Sequence, residues 1–373
     1  MTKYRFDEIA INSTQKKKPT EEDKVYYIGL EHIDPGCFDV VRWGSDIAPT
    51  GDKLLMQKGD VLFGKRRAYQ RKVAIAPFDG IFSAHGMVLR PNLKVIDANY
   101  FPFFISSDKF METAVRISVG GLSPTINWKD LARQEFELPS LDEQKVLSDK
   151  LWAAYRLKEA YKKLLVATDE MVKSQFIEMF GDRSTTPVGN YIKDSFPGDW
   201  GKEDKDGTGV KVIRTTNFTN TGKLNLSEVV TRSIEERKIQ KKRIQKYDTI
   251  LERSGGTADN PVGRVVLFEE NEQYLCNNFT QVLRFKDIDS RFAFYALYYF
   301  YQTNKNAIRS MGSKTTGIQN LNMSKYLEIG IPNADKEEQL QFVAIVEQAD
   351  KSKFELKQCI ENIDKVIKSL ING

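Results

Sequence analysis

The chain has 373 residues, a net charge of +5 and 29% charged residues, a composition typical of two or three globular domains. No signal-type apolar segment opens it, its longest aromatic run (292–301) is too short to span a bilayer, and its three cysteines are isolated. These properties exclude a disulfide framework and a membrane-spanning protein, and they predict a cytoplasmic one.

Residues 1–140 predict a first α+β domain. Short strand-forming runs at 25–28, 61–63, 73–76 and 87–89 are separated by turns. An aromatic helix follows at 100–105, and a glycine-containing loop comes next at 120–123. The domain therefore combines short helices with strand pairs that are distant in sequence.

Residues 141–182 predict one long helix with a coiled-coil seam. Pro139 precedes the helix, and Gly181 is a suitable C-terminal cap. A seven-residue repeat kept over this length is typical of a coiled coil. Steps of four and three residues give the seam positions 147, 151, 154, 158, 161, 165, 168, 172, 175 and 179.

Residues 183–333 repeat the features of the first domain in the same order, and residues 334–373 repeat the helix. The segment 59–63 corresponds to 247–251, and 87–90 corresponds to 281–284, with an offset that drifts only between 188 and 195. Lys353 occupies the position of Lys158. The second seam contains 342, 346, 349, 353, 356, 360, 363, 367 and 370.

The two seams predict that the long helices pair with each other as an antiparallel intramolecular coiled coil. Two similar α/β domains, separated by these helices, would then be related by a pseudo-twofold axis. The alternative is that each helix only completes the core of its own domain.

Patterns of catalytic residues are missing from the sequence. Its two histidines, His32 and His85, lie far apart without partners at ligand or triad spacing, and neither GxxxxGK[ST] nor GxGxxG occurs. The segment Asp259-Asn260-Pro261-Val262 resembles the start of an amino-methyltransferase motif but lacks its second proline and its aromatic residue. We therefore predict no catalytic residue, no metal site and no cofactor in this chain.

Basic and polar residues recur at related places in the two domains and predict contact with DNA. Lysine and arginine bind phosphates, and polar side chains can also contact base edges. The alternative is a pair of solvated basic faces. The candidate residues are Lys65, Arg66, Arg67, Arg71, Lys72, Ser123, Thr125 and Asn127 in the first domain, and Lys241, Lys242, Arg243, Arg253, Lys314, Thr315, Thr316 and Gln319 in the second.

The segment 59–69, continuing to Val73-Ala74, resembles the opening of target-recognition domains in type I restriction-modification specificity subunits. Leu138-Pro139 and Glu143-Gln144, followed by a long helix, are similar to the spacer regions of that family. The same pattern returns at Ile331-Pro332 and Glu338-Gln339. The resemblance covers essentially the whole chain, although Arg253-Ser254-Gly255-Gly256 departs from the Gly-Lys-Arg-Arg pattern of the first copy.

The resemblance implies a non-catalytic DNA sequence-recognition subunit of a type I restriction-modification complex. Each domain would read one half of a split, asymmetric target, and the paired helices would set the gap between the halves. The implied partners are double-stranded DNA, two methyltransferase (modification) subunits that carry S-adenosylmethionine, and restriction motor-nuclease subunits. Two other functions stay open: a coiled-coil protein-interaction adaptor, and a stand-alone DNA methyltransferase or nuclease.

Overall fold

The structure, a computed structural model, describes residues 1–257, 259–315 and 318–372. The contacts within the chain divide it into two compact units. Unit 1 consists of Met1–Leu164 and Glu355–Gly373, and unit 2 consists of Leu165–Phe354. Each unit therefore contains one sheet-rich portion and part of both long helices.

The portion of unit 1 before the long helices is built from short strands and short helices. The strands are β1 (Thr2–Arg5), β2 (Ala10–Ser13), β3 (Lys16–Lys17), β4 (Tyr27–Ile28), β5 (Lys53–Met56), β6 (Val61–Phe63), β7 (Val73–Ile75), β8 (Gly80–Phe82), β9 (Met87–Pro91) and β10 (Glu135–Leu138). The helices are α1 (Phe6–Ile9), α2 (Phe101–Ser106), α3 (Asp108–Arg116) and α4 (Trp128–Ala132), and the long helix α5 (Leu141–Phe180) begins in this unit.

Two four-stranded sheets pack against each other in unit 1, and the central strand β6 is buried on both faces. The first sheet has the order β2-β9-β6-β7 with antiparallel neighbours, and the second has the order β3-β5-β8-β4. Val61 and Phe63 pack among the aromatic side chains of α2 and α3, whereas Leu62 points to the second sheet. Successive residues of a strand face opposite sides, so an uninterrupted apolar run is what a strand between two cores requires.

Unit 2 contains more strands. They are β11 (Thr185–Pro187), β12 (Ile192–Pro197), β13 (Lys202–Glu203), β14 (Val210–Ile213), β15 (Val230–Ser233), β16 (Thr249–Glu252), β17 (Ser254–Gly255), β18 (Val265–Leu267), β19 (Tyr274–Cys276), β20 (Thr280–Phe285), β21 (Gly312–Thr315), β22 (Ile318–Leu321) and β23 (Gly330–Pro332). The helices are α6 (Glu236–Lys242), α7 (Ser290–Thr303), α8 (Lys305–Ser310), α9 (Met323–Tyr326) and the long helix α10 (Lys336–Asn372).

The sheet β12-β20-β16-β18 repeats the strand order and the antiparallel pairing of the first sheet of unit 1. An ion pair between a buried aspartate and a half-buried arginine is repeated with it. Asp60 is bonded to Arg90 at 2.7 Å, and Asp248 is bonded to Arg284 at 2.7 Å. The second sheets differ, because the strand order in unit 2 is β13-β15-β14-β19. The predicted α+β class with two similar domains is confirmed.

The predicted seams coincide with the buried sides of α5 and α10, since every seam position is buried or half-buried. In unit 1, Lys158 Nζ lies 2.6 Å from Asp364 Oδ1, so the first part of α5 contacts the last part of α10. In unit 2, Lys353 Nζ lies 2.7 Å from Asp169 Oδ1, so the last part of α5 contacts the first part of α10. The helices therefore pair antiparallel within each unit.

The helices also complete the cores of the units, so the alternative prediction holds in part. Leu151 and Tyr155 of α5 belong to the core of unit 1. Phe176 and Phe180, near the end of α5, pack against Phe342 of α10 in the core of unit 2. Among the helices of the described residues, none is long and apolar enough to cross a membrane.

The repeated Glu-Gln pair starts each long helix and ties it to its unit. Glu143 forms a capping box with Ser140, and Glu338 forms one with Asp335. The amide of buried Gln144 accepts from Asp97 N at 2.8 Å and donates to the carbonyls of Val95 and Pro139. Likewise, the amide of Gln339 accepts from Asp289 N at 2.8 Å and donates to the carbonyl of Ala334 at 2.9 Å. The motif therefore anchors the helix to the loop before the aromatic helix.

Gln144→Ala should lower the free energy of unfolding by about 2 kcal/mol, because it leaves buried backbone groups without partners. Urea denaturation followed by circular dichroism measures the change. The matched control is Lys145→Ala at the next, exposed position, which should stay within about 0.5 kcal/mol. Equal effects of the two substitutions would contradict the anchoring role.

Candidate nucleic-acid interface

The structure of unit 1 joins the basic segment after β6 to the late polar loop. Arg66 forms a backbone bridge with Thr125, and Arg67 N donates to the carbonyl of Pro124 at 2.7 Å. On the other side of the bridge, Ile126 N donates to the carbonyl of Lys65 at 3.1 Å. Two regions that the sequence indicated separately therefore form one surface.

One hydroxyl group at this surface holds two guanidinium groups. Ser123 Oγ accepts from Arg66 Nη2 at 3.2 Å and from Arg67 Nε and Nη2 at 3.2 and 3.0 Å. Like charges at this separation repel each other, and a bound anion removes that repulsion. The arrangement is thus suited to a phosphate group or to the acceptor edge of a base.

The turn that carries these arginines has an unfavourable backbone conformation. Arg67 and Arg71 have φ angles of 57° and 53°, on either side of a 3-10 turn over Ala68–Gln70. A left-handed conformation costs a residue with a side chain about 1–2 kcal/mol. The corresponding positions of unit 2 include Gly255 and Gly256, which adopt positive φ without that cost. Retaining arginine at this cost is typical of a residue whose side chain has a function.

Three further side chains, His85, Lys16 and Lys53, act on Arg66 or on its neighbours, and the sequence did not indicate them as candidates. His85 Nε2 lies 3.3 Å from Arg66 Nη1. Partial burial lowers the pKa of His85, and the charges of Arg66, Lys65 and Lys53 lower it further. Partial burial and then Lys16 lower the pKa of Lys65. Lys16 and Lys53 are residues of β3 and β5, so the second sheet adds positive charge to the surface that Arg66 begins.

The other candidates of the first domain have different surroundings. Arg71 Nη2 donates to Asp108 Oδ1 and to the carbonyl of Ser106, both at 2.8 Å. Lys72 Nζ donates to the carbonyl of Leu30 at 2.6 Å. Asn127 is exposed at the start of α4, two residues after Thr125 of the bridge. Arg71 and Lys72 are therefore engaged within unit 1, whereas Asn127 faces solvent beside Ser123 and Thr125 in sequence.

In unit 2 the corresponding segments form a small sheet with the order β17-β22-β21. Ser254 pairs with Asn320, and Gly255 pairs with Gln319. Arg253 is fixed at its edge, because Arg253 N donates to the carbonyl of Phe279 and the carbonyl of Arg253 accepts from Leu321 N, each at 2.8 Å. Lys314 and Thr315 lie in β21, and Thr316 lies outside the described residues.

The predicted basic cluster of the second domain lies on a different element. Lys241, Lys242 and Arg243 lie at the end of α6 and directly after it. Buried Ile239 packs this helix against Val212 and Leu275 of the second sheet. Lys242 Nζ lies 3.3 Å from Asp199 Oδ2, so this lysine already has an acidic partner. Contact of these residues with DNA stays a prediction.

Comparison with known proteins identifies the family. The model of the type I restriction modification DNA specificity domain matches residues 3–165 and again residues 193–365. The chain belongs to this family. The two matches correspond to the duplication in the sequence, and they make the chain a target-recognition subunit with two DNA specificity domains.

The relatives of this specificity chain are themselves specificity subunits. It is 23% identical to the specificity subunit of the type I restriction enzyme StySPI of Salmonella potsdam, over 94% of this chain and 81% of that protein. It is 27% identical to the EcoDI specificity subunit of Escherichia coli over 142 residues, 38% of this chain and 31% of that protein. The chain therefore matches less than a third of the length of the EcoDI protein.

Solved structures share the fold of the specificity chain. A chain from a structure concerned with complex assembly and conformational transition of the type I restriction-modification system has a TM-score of 0.60 at 14% identity, covering 99% of this chain and 96% of that one. The S subunit of the type I system of M. genitalium has a TM-score of 0.53 at 15% identity, covering 99% and 95%. At these identities the likeness concerns the fold.

Arg66→Gln should raise the pKa of His85 towards its ordinary value of about 6.5, because the substitution removes the nearest positive charge. Titration of the two histidines by NMR measures the shift. His32 is an internal control: burial first and the charge of Arg42 lower its pKa, so it should keep the same value in the variant. An unchanged His85 titration would contradict the close contact with Arg66.

Proposed function

We propose that this specificity subunit reads a split, asymmetric DNA target, with one recognition domain for each half-site. The observation that carries the proposal is a repeated framework with different loops. The sheets β2-β9-β6-β7 and β12-β20-β16-β18 have the same order, whereas Arg66 and Arg67 in one copy correspond to Ser254 and Gly255 in the other. Equivalent frames with different contact residues are suited to two different short sequences on one duplex.

The contacts in each domain follow from its side chains. In unit 1, Arg66 and Arg67 would bind phosphates or the acceptor edge of a guanine, and Lys65, Lys16 and Lys53 would add sequence-independent affinity. In unit 2, Gln319 is suited to an adenine edge, and Arg253, Lys314, Thr315 and Thr316 would complete the set. Both domains would therefore combine phosphate contacts with base contacts.

We further propose that the paired helices set the number of unread base pairs between the half-sites. The helix α5 contains 40 residues and α10 contains 37, and at 1.5 Å per residue such helices are about 55–60 Å long. The pairs Lys158–Asp364 and Lys353–Asp169 support a fixed register between them. A fixed register would give a fixed gap.

Catalysis would belong to partner subunits of the complex. We propose two methyltransferase subunits that carry S-adenosylmethionine, restriction motor-nuclease subunits, and a cytoplasmic location with the DNA. The support is the family of the chain together with relatives that are subunits of type I restriction enzymes. The two other functions considered from the sequence, an adaptor and a stand-alone enzyme, have no such support.

Charge reversal at Arg66 and Arg67 should abolish recognition of one half-site and leave the other half-site and the gap unchanged. Loss of two such contacts should weaken binding of the target by about 100-fold or more and reduce its salt dependence by about two counterions. Mapping methylated bases in cells with and without the gene first identifies the target, and binding is then measured on DNA with each half-site scrambled.

The matched control is charge reversal at Lys94 and Lys109, two exposed lysines of the same unit. This control changes the net charge by the same amount as the Arg66/Arg67 variant and should leave the choice of target unchanged. If the Arg66/Arg67 variant keeps its affinity and its target, this surface is not the DNA interface of unit 1. If wild-type protein shows no split target at all, the proposed function fails.

Insertion of one heptad into each long helix, at positions that face each other, should abolish use of the original gap. Seven residues add about 10 Å along the pair, which equals about three base pairs of DNA. Methylation mapping in cells that carry the variant measures the gap, and a longer gap is expected among the sites that remain. Unchanged methylation of the original target would contradict a helix-determined gap.

A further inference from the structure

Four polar side chains of unit 1 meet beside the turn that carries Arg67: Arg71, Asp108, Lys368 and Asn372. Asp108 Oδ1 accepts from Arg71 Nη2 at 2.8 Å, and Asp108 Oδ2 lies 3.1 Å from Lys368 Nζ. Asn372 contacts the same residue twice, since its Oδ1 accepts from Asp108 N at 3.0 Å and its Nδ2 donates to Asp108 Oδ2 at 3.2 Å. We refer to these residues as the Asp108 cluster.

The Asp108 cluster is connected to Arg67 through a very short piece of chain. Arg71 N donates to the carbonyl of Ala68 at 2.8 Å, and Gln70 N donates to the carbonyl of Arg67 at 2.9 Å. Arg71 and Arg67 both have left-handed backbone conformations, which residues with side chains adopt only when their surroundings hold them there. A fixed guanidinium of Arg71 therefore fixes the far end of the turn that orients Arg67.

Packing alone does not hold Arg71 in place. An open cleft of about 490 Å³ lies at the Asp108 cluster, and its lining includes Arg71, Asp108, Phe103, Met111, Ile367 and Asn372. The side chain of Arg71 is 43% exposed, so part of it meets open space instead of close-packed neighbours. The hydrogen bonds from Arg71 to Asp108 and to the carbonyl of Ser106 are therefore the contacts that hold its guanidinium.

We propose that Asp108 is a positioning residue for DNA recognition by unit 1. Asp108 holds Arg71 and, through it, the orientation of Arg67 and Arg66, while Lys368 and Asn372 at the C-terminal end of α10 hold Asp108. Recognition by the first domain thus depends on a helix end more than 260 residues away in sequence. The inference rests on the proposed function, since it concerns how that same surface is kept in its binding geometry.

The turn at the same place in unit 2 is held differently. Thr257 N donates to the carbonyl of Asn260 at 2.7 Å, and Lys305 Nζ, on α8, donates to the carbonyl of Asp259 at 3.2 Å. These contacts do not involve a long helix. A change at Asp108 should therefore act on one half-site, and the other half-site provides an internal reference.

The test compares Asp108→Asn with wild type on the mapped target and on DNA with each half-site scrambled. Half-site one is defined as the one that the Arg66/Arg67 charge reversal disrupts. Discrimination at half-site one should fall about tenfold in Asp108→Asn, the loss expected when one good base contact is misplaced. Discrimination at half-site two should stay within about twofold. Asp108→Glu keeps the carboxylate and should restore part of the loss.

A double-mutant cycle with Arg71→Gln separates positioning from direct contact. If Asp108 acts through Arg71, the double variant should lose no more than Asp108→Asn alone. If Arg71 itself binds DNA and Asp108 only competes for it, Asp108→Asn should bind more tightly, and that result would overturn the proposal. Asn372→Ala should show the same selective loss to a smaller extent.

The matched control is Glu137→Gln. It breaks an exposed ion pair, 3.6 Å long, between Glu137 and Lys109, the residue that follows Asp108 in α3. This substitution should leave discrimination at both half-sites unchanged. Equal loss at both half-sites in Asp108→Asn, with a lowered midpoint of thermal unfolding, would reduce Asp108 to a structural role and overturn the proposal. Absence of sequence-specific binding by wild-type protein would instead count against the proposed function.

Discussion

The pairing of the two long helices is the constraint on which the rest of the protein depends, and an ion pair in each unit supports its register. Lys158 is 9% exposed in a mostly apolar seam and has Asp364 as its partner. A buried ammonium without its partner is unfavourable, so alignments that bring the two together are favoured. An equivalent pair occurs in unit 2, where Lys353 lies 195 residues after Lys158 and Asp169 lies 195 residues before Asp364. Each unit thereby specifies the antiparallel arrangement independently.

The parts that the two copies share maintain geometry, and the parts that differ carry the candidate contacts. Gln144 and Gln339 anchor the helices, and the pairs Asp60–Arg90 and Asp248–Arg284 stabilise the turns before the central strands. In contrast, the residues directly after those strands differ in charge and in backbone conformation. A recognition protein gains from this division, because contact residues can change without loss of the frame.

Parts of the candidate interface could be predicted from the sequence, and the limits have physical causes. Arg66 and Ser123 were both indicated, yet the hydrogen bond between them depends on a bridge across 57 residues. Lys16, Lys53 and His85 were missed, because only tertiary packing brings His85 to Arg66, Lys53 near His85 and Lys16 near Lys65. Arg71 and Lys72 have a charge typical of DNA contacts, but acceptors of their own unit already engage them.

The sequence by itself determined the duplication, the long helices and their seams, since helix periodicity and capping depend on residues within a few turns of each other. It also indicated the strand-forming runs that become β6 and β16, because strand propensity is a property of neighbouring residues. Only the tertiary structure decided the order of strands in the second sheets, the residues around Arg66, and the cluster that links Asp108 to Asn372. These features depend on which distant segments share a face, and chain geometry settles that only after the local elements have packed.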